Sequence, residues 1–424
     1  MQRLRTYFYN PYNVLFVIFT YFIVFAFIVD TPQNILEGLI IIVVSPDLLI
    51  TDYIYIGGIG ATLVNAAIIN LLFLYYMVRI HEKPSGALIM AFWLFAGFAF
   101  FGKNIVNVWP IILGGWLYAK FKGEHFDKYA VVTMLGTALA PTVTQIALIE
   151  QLPIQLGIVL ALIYGTFLGF VLPPIAQNMM SIHQGFNLYN VGFATGILSI
   201  LSRIFIYVTI AEDNIYPVSY WSSDEWLATT IFMAIIFMFL IFVGILCGEN
   251  HKENFIELNK RSGQAPSDFF ADYGSIIYIN MGLLGLFCIV LIFLINGDIN
   301  GPVAGCILTV VGFGAYGKHL RNCWSLMLGC LIAGGFIQIF YGTIPSASLA
   351  VLLVTSLAPI PGYYGWKWGI IAGALHLHIA ANVVAFSGGL NLYNNGLAAG
   401  FVAMFLLPII KSLKEHKKDL PVKN

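Results

Sequence analysis

The sequence predicts an all-α polytopic membrane protein built from two inverted-topology repeats. Three observations predict it. Of 424 residues, 59% are hydrophobic and 9% are charged, whereas soluble domains carry roughly a quarter charged residues. Most long segments are apolar runs of 16 to 26 residues, about the length a helix needs to cross a bilayer. One motif occurs twice: 175–196 reads IAQNMMSIHQGFNLYNVGFATG and 379–400 reads IAANVVAFSGGLNLYNNGLAAG, with half the positions identical.

The apolar runs of the first unit, 1–210, fall near 13–29, 53–78, 84–101, 104–119, 129–149, 153–175 and 187–208. No small-residue cleavage site follows the first run, so it reads as a span rather than a cleaved signal. An external polar linker, 211–225, follows. The second unit, 226–424, carries seven more runs: 226–247, 274–296, 300–317, 319–336, 345–360, 366–386 and 390–410. Short extras such as 35–45 are too brief to span and are placed at the interface. The duplication reaches beyond the motif. Ser85-Gly86 matches Asn300-Gly301, and Gly102-Lys103-x3-Asn107-x-Trp109 matches Gly317-Lys318-x3-Asn322-x-Trp324, both at an offset of 215. Thr137-x-Leu139-Ala140-Pro141 matches Thr355-x-Leu357-Ala358-Pro359 at 218, and Pro46–Tyr53 resembles Pro266–Tyr273.

Loop charge sets the orientation, because Lys- and Arg-rich loops stay cytoplasmic. Arg3, Arg5, Arg79, Lys83, Lys120, Lys122, Lys128, Lys252, Lys260, Arg261 and the tail lysines lie on one side. Asp30, Asp47, Asp52, Glu150, Glu212, Asp224 and Asp298 lie in the alternate loops. Both termini are then cytoplasmic, in a multi-pass protein of the cell membrane. Each unit crosses an odd number of times, so the second enters from the opposite face. Segments 84–119 and 300–336 leave two arrangements open: separate spans, or a re-entrant hairpin with Gly102-Lys103 or Gly317-Lys318 at its tip.

Polar residues inside apolar sequence mark a solute path. A lysine within hydrocarbon is costly and normally functional. In the hairpin arrangement Lys103 and Lys318 approach the midplane from opposite faces, with Arg321 one turn away, and form a centre suited to an anion. In the spanning arrangement they sit at the interface and snorkel to water. Proline in the Leu-Ala-Pro elements breaks a helix and frees carbonyls, and Thr137 and Thr355 add hydroxyls. Asn187, Tyr189, Asn190, Asn391, Tyr393 and Asn394 of the repeated core, with Asn107, Asn322, Asn178 and Asn382, offer uncharged polar contacts. His376 and His378 face different sides of a helix and read as packing residues, as do the five cysteines. No Asp or Glu falls inside a predicted span. That argues against a proton relay and for an anionic or neutral polar solute, with sodium held by carbonyls and hydroxyls as the coupling ion.

The repeated GFNLYNVGFATG and GLNLYNNGLAAG resemble an uncharacterised bacterial family of duplicated integral membrane proteins. The likeness covers most of the chain and implies a duplicated polytopic fold, but no activity. Tyr189-Asn190 and Tyr393-Asn394 with their following glycines are also similar to part of the repeated Gly-x-x-Tyr-Asn-Gly-x-Leu-x-Gly element of urea transporters. This chain departs from them in having more segments per half and in placing Leu-Ala-Pro before the element. The order of hairpin and broken helix resembles, in layout, carboxylate transporters with paired re-entrant hairpins.

The sequence therefore reads as a secondary transporter of a small polar or anionic solute. A passive channel would use the same residues. A lipid-modifying enzyme would need a nucleophile or metal cluster that the sequence lacks, and a structural or sensory membrane protein would have no continuous polar cavity. No catalytic residue, metal ligand or cofactor beyond the sodium ion is expected. The expected partners are the solute and the lipid bilayer. A homo-oligomer is left open, and nothing points to nucleic acid.

Overall fold

A computed structural model describes residues 1–47, 49–210, 225–341 and 347–419. Except for Glu225, the linker 211–225 lies outside the described residues, as does the start of the 345–360 run. The described residues form helices and no strands. Nine helices among them are long and apolar enough to cross a membrane: Pro11–Val29, Tyr53–Arg79, Asp127–Ala147, Ile154–His183, Trp226–Cys247, Ile276–Leu294, Leu320–Ile339, Trp366–Ser387 and Asn394–Lys414. Several of the fourteen expected segments are too short for this. Gly86–Phe100, Gly301–Ala315, Asn190–Ile206 and Ser348–Leu357 are shorter apolar helices, and Trp109–Lys122 has 14 residues.

Local chemistry starts these helices where the polar residues stand. The Asn10 side chain accepts from Tyr12 N, with Pro11 in the first turn. The matched pair Ser85 and Asn300 cap equivalent helices, accepting from Leu88 N at 3.1 Å and Val303 N at 3.0 Å. Each cap satisfies a backbone donor that the helix itself leaves free.

Equivalent helices pack antiparallel, so the two units are inverted. Gly86–Gly97 and Gly301–Gly312 lie side by side at the centre. A Cβ on Gly97 would sit 2.5 Å from the Gly305 carbonyl oxygen, and one on Gly86 would sit 2.3 Å from that of Ala315. The start of each helix therefore rests against the end of the other. At the periphery Arg5 pairs with Glu249 at 2.9 Å, while Phe22 meets Phe232 further along, with centroids 4.7 Å apart. The pairing again runs in opposite directions.

The Leu-Ala-Pro helices are broken, as their prolines predict. A 3-10 turn, Thr137–Leu139, separates Asp127–Gly136 from Ala140–Ala147. Its counterpart Val354–Leu357 precedes Pro359–Tyr364.

Candidate functional site

Each unit carries a sharp, fully buried turn after its central helix. Gly102 and Gly317 have φ of 101° and 142°, which an L side chain rarely adopts. The next residues are Lys103 and Lys318, both 0% exposed. Asn107 Oδ1 accepts from Asn104 N at 2.9 Å, and its Nδ2 donates to the Gly102 carbonyl at 3.1 Å. Asn322 repeats this with His319 N and Gly317 O, both at 2.9 Å. A second asparagine braces each turn from the preceding span. Asn65 Nδ2 donates to the carbonyls of Ala99 and Lys103 at 3.0 and 2.9 Å. Asn280 Nδ2 does the same to Gly314 and Lys318 at 2.9 and 2.8 Å. Asn65 and Asn280 were missed in the sequence, although they share the lysines' offset of 215.

The turns do not meet. They lie at opposite ends of the antiparallel helix pair, and the lysine side chains reach back toward the centre. Lys318 Nζ donates to Tyr189 OH at 2.8 Å and to Thr355 Oγ1 at 2.7 Å. It lies 4.4 Å from the Tyr189 ring centroid and 4.7 Å from that of Phe313. Lys103 Nζ lies over the equivalent rings, 5.3 Å from Phe98 and 5.8 Å from Tyr393, and 5.1 Å from Phe95. There the symmetry breaks. Lys103 Nζ and Tyr393 OH are buried and have no hydrogen-bond partner. Thr137 Oγ1 donates to the Met134 carbonyl as Thr355 Oγ1 does to that of Leu352, but it receives no bond from Lys103. The rings of Tyr189 and Tyr393 stand 6.2 Å apart and link the two lysines. Arg321 is exposed and does not join them.

Each lysine thus meets the tyrosine of the opposite unit, because the Asn-Leu-Tyr-Asn loops are exchanged. Leu188 N donates to the Ser356 carbonyl at 2.8 Å, and Leu392 N to that of Ala138 at 3.0 Å. Each loop therefore docks on the broken helix of the other unit. Asn187 and Asn391 shape the loops by accepting from Tyr189 N at 2.9 Å and Tyr393 N at 3.2 Å. The helices that follow touch at Gly192 and Gly396, where a Cβ on Gly396 would lie 2.8 Å from Gly192 Cα. Asn190 pairs with His183 Nε2 and donates to the Ala176 carbonyl, both at 2.9 Å. Asn394, its counterpart, has neither amide atom bonded. Asn178 and Asn382 are exposed on their helices and stand apart from this centre. His376 is buried and His378 exposed, as the different-face reading expects.

Two carboxylates read as loop residues are buried. Asp47 is 0% exposed. Its Oδ2 accepts from Asn104 Nδ2 at 2.9 Å, Asn107 Nδ2 at 2.9 Å and Thr144 Oγ1 at 3.0 Å. Its Oδ1 accepts from Tyr53 OH at 2.6 Å. Burial raises its pKa to about 7, against the lowering effect of these bonds. Asp52 caps its own helix and also accepts from Gly301 N at 3.3 Å, across the unit boundary. Asp268 accepts reciprocally from Gly86 N at 2.9 Å. The lack of acids inside the spans therefore does not leave the interior without them. A polar helix-flanking segment folded inward, which no hydropathy pattern reveals.

A cavity of ≈650 Å³ runs from Lys122 and Lys128 of the basic loop to Tyr189, Asn190 and Tyr393. On the other side of the tyrosine pair, Asn394, Leu392 and Phe101 enclose a void of ≈40 Å³.

These features define a duplicated, polytopic, all-helical membrane protein with a buried polar centre shared by its two halves. The chain belongs to the family described as protein of unknown function DUF1576, which matches it over residues 31–207 and 247–412. The two matched regions follow the duplication and bear out the resemblance to a duplicated uncharacterised family. No curated protein and no solved structure matches the chain.

Proposed function

We propose that this protein is a secondary transporter that carries a small anionic solute between Lys103 and Tyr393. One observation carries the reading: the Lys103 amine and the Tyr393 hydroxyl are both buried and unpartnered, and the amine lies 5.8 Å from the centroid of the Tyr393 ring. An ammonium taken out of water without a counter-charge costs several kcal/mol. Three aromatic faces return only part of that, at about 0.5–2 kcal/mol each. A carboxylate or similar small anion supplies the missing charge and acceptor at once. The cavity ends near this point, and the Tyr189–Tyr393 pair at its inner end supports a carrier over an open channel.

The cavity mouth carries Lys122 and Lys128, so the positive-inside rule places it on the cytoplasmic side. The central helices Gly86–Phe100 and Gly301–Ala315 are each about 22 Å long at 1.5 Å per residue, short of a hydrocarbon core of about 30 Å. Their length and buried turns support the re-entrant hairpin arrangement.

A thermal-shift screen of the detergent-solubilised protein tests the reading, using small carboxylates, inorganic anions, urea and amino acids, with and without sodium. A small anion should raise the melting temperature in a concentration-dependent way, and reconstituted vesicles should accumulate it. Stabilisation by urea alone, with no response to anions, would support the neutral-solute channel instead.

A further inference from the structure

The open cavity and the small void are lined by equivalent residues. Leu135, Ala176, Leu188 and Asn190 line the first, and Leu353, Ala380, Leu392 and Asn394 stand at the matching positions of the second. The two volumes nevertheless differ, ≈650 Å³ against ≈40 Å³.

The matched side chains differ in size in both directions. Where the open cavity has Val132, Gln177 and Met180, the closed side has Ala350, Ala381 and Val384. Tyr316 is matched by Phe101. The closed side has the smaller residue at these four positions and the larger one at two, Leu349 against Val131 and Leu377 against Pro173. Leu49 and Ile50 of the inward-folded segment line it as well.

Polar chemistry also differs between the two sides. Asn190, facing the open cavity, has its amide fully bonded to His183 and Ala176. Asn394 is 2% exposed, yet both its amide atoms lack partners. A permanently dry wall seldom keeps a buried amide unsatisfied. An amide that meets water in a second state needs no protein partner there. The void holds room for only a few waters, so it is no hydrated path as it stands.

We infer that the void is a second, closed vestibule, which opens to the opposite membrane face as the large cavity closes. The exchange is between two conformations that the repeats already show. Asp127–Gly136 and Ile154–His183 of the first unit border the large cavity, while Ala347–Leu353 and Trp366–Ser387 of the second border the small void. A two-fold operation that swaps these arrangements opens Asn394 and buries Asn190. The vestibule admits the small anion only if the transport reading holds. Its opening follows from the geometry and is tested without any solute.

The test uses the full chain in membrane vesicles of both orientations, with the five native cysteines replaced and one cysteine introduced at a time. A membrane-impermeant maleimide reads accessibility. Val132→Cys should react from the face bearing Lys122 and Lys128. Ala350→Cys, with its parent residue 4% exposed, should react from the opposite face at about 0.1–10% of that rate, the usual population of a minor state. Adding Val132→Trp, which wedges the large cavity open, should lower the Ala350→Cys rate at least tenfold. A chain retaining only the buried native Cys288 gives the unreactive baseline. Three results would each overturn the proposal: Ala350→Cys reacting no faster than baseline, reacting from the same face as Val132→Cys, or reacting equally with the wedge. Ala380→Cys on the facing helix repeats the measurement should Ala350→Cys misfold.

Discussion

Replacing Lys103 by methionine should stabilise the empty protein and abolish its response to anions. The lysine is 0% exposed, and its Nζ touches only aromatic faces between 5.1 and 5.8 Å away. Methionine has similar length, packs well against aromatic rings and brings no charge. The uncompensated charge costs several kcal/mol, and the lost cation–π contacts return about 0.5–2 kcal/mol each. Each ring lies more than 5 Å from the amine, so the weak end of that range applies. The net gain is on the order of 1–3 kcal/mol, or a rise of about 1–3 °C in melting temperature for a chain of 424 residues. Lys318→Met should do the opposite, because it removes hydrogen bonds to Tyr189 and Thr355 and orphans a buried tyrosine hydroxyl, costing about 1–3 kcal/mol. An anion at one hundred times its Kd stabilises the wild type by about 2.7 kcal/mol, and Lys103→Met should lose that increment. Differential scanning fluorimetry with and without the anion reads both effects. A melting temperature lowered by Lys103→Met would refute the unpaired amine. An undiminished anion response would remove the lysine from the site.

Three further outcomes are expected. Burial raises the Asp47 carboxyl from 3.8 to about 7, so the fold favours its protonated form. That stability is complete below about pH 4 and is lost as pH rises through about 7, by roughly 4 kcal/mol at most. Unfolding midpoints measured from pH 4 to 8 should therefore fall, with a shallower slope for Asp47→Asn. Asn65→Ala removes two donated bonds and the one accepted from Ile105 N, and should cost about 2–4 kcal/mol in denaturant unfolding, more than Asn280→Ala. Gly396→Ala puts a Cβ 2.8 Å from Gly192 Cα. It should lower stability by about 1–3 kcal/mol, because two helix backbones must separate.

Much of the site was legible because duplication repeats it. The offset of 215 between Lys103 and Lys318, and of 204 between the Asn-Leu-Tyr-Asn loops, marked the tips and loops that the fold buries at its centre. The same offset marks Asn65 and Asn280, which lie in apolar helices without a surrounding motif and so went unnoticed. Asp47 was hidden for another reason. Its neighbours read as a loop, and burial of a loop depends on what packs over it. Asn178 and Asn382 belong to the repeated motif, but their place on an exposed helix face follows from the packing of the whole helix.

By itself the sequence determined the duplication, the apolar helices, the broken Leu-Ala-Pro elements and an inverted arrangement. Each of these is a local or periodic property: hydrophobic length, proline position, and the charge of successive loops. Only the tertiary structure decided that each lysine faces the tyrosine of the other unit. The loops are exchanged across the two-fold axis, and contacts between residues more than a hundred positions apart leave no local pattern. It also decided which half is open. Two units with matching lining residues enclose very different volumes, ≈650 Å³ and ≈40 Å³. Side-chain order alone does not encode that, because the matched lining residues differ in size in both directions.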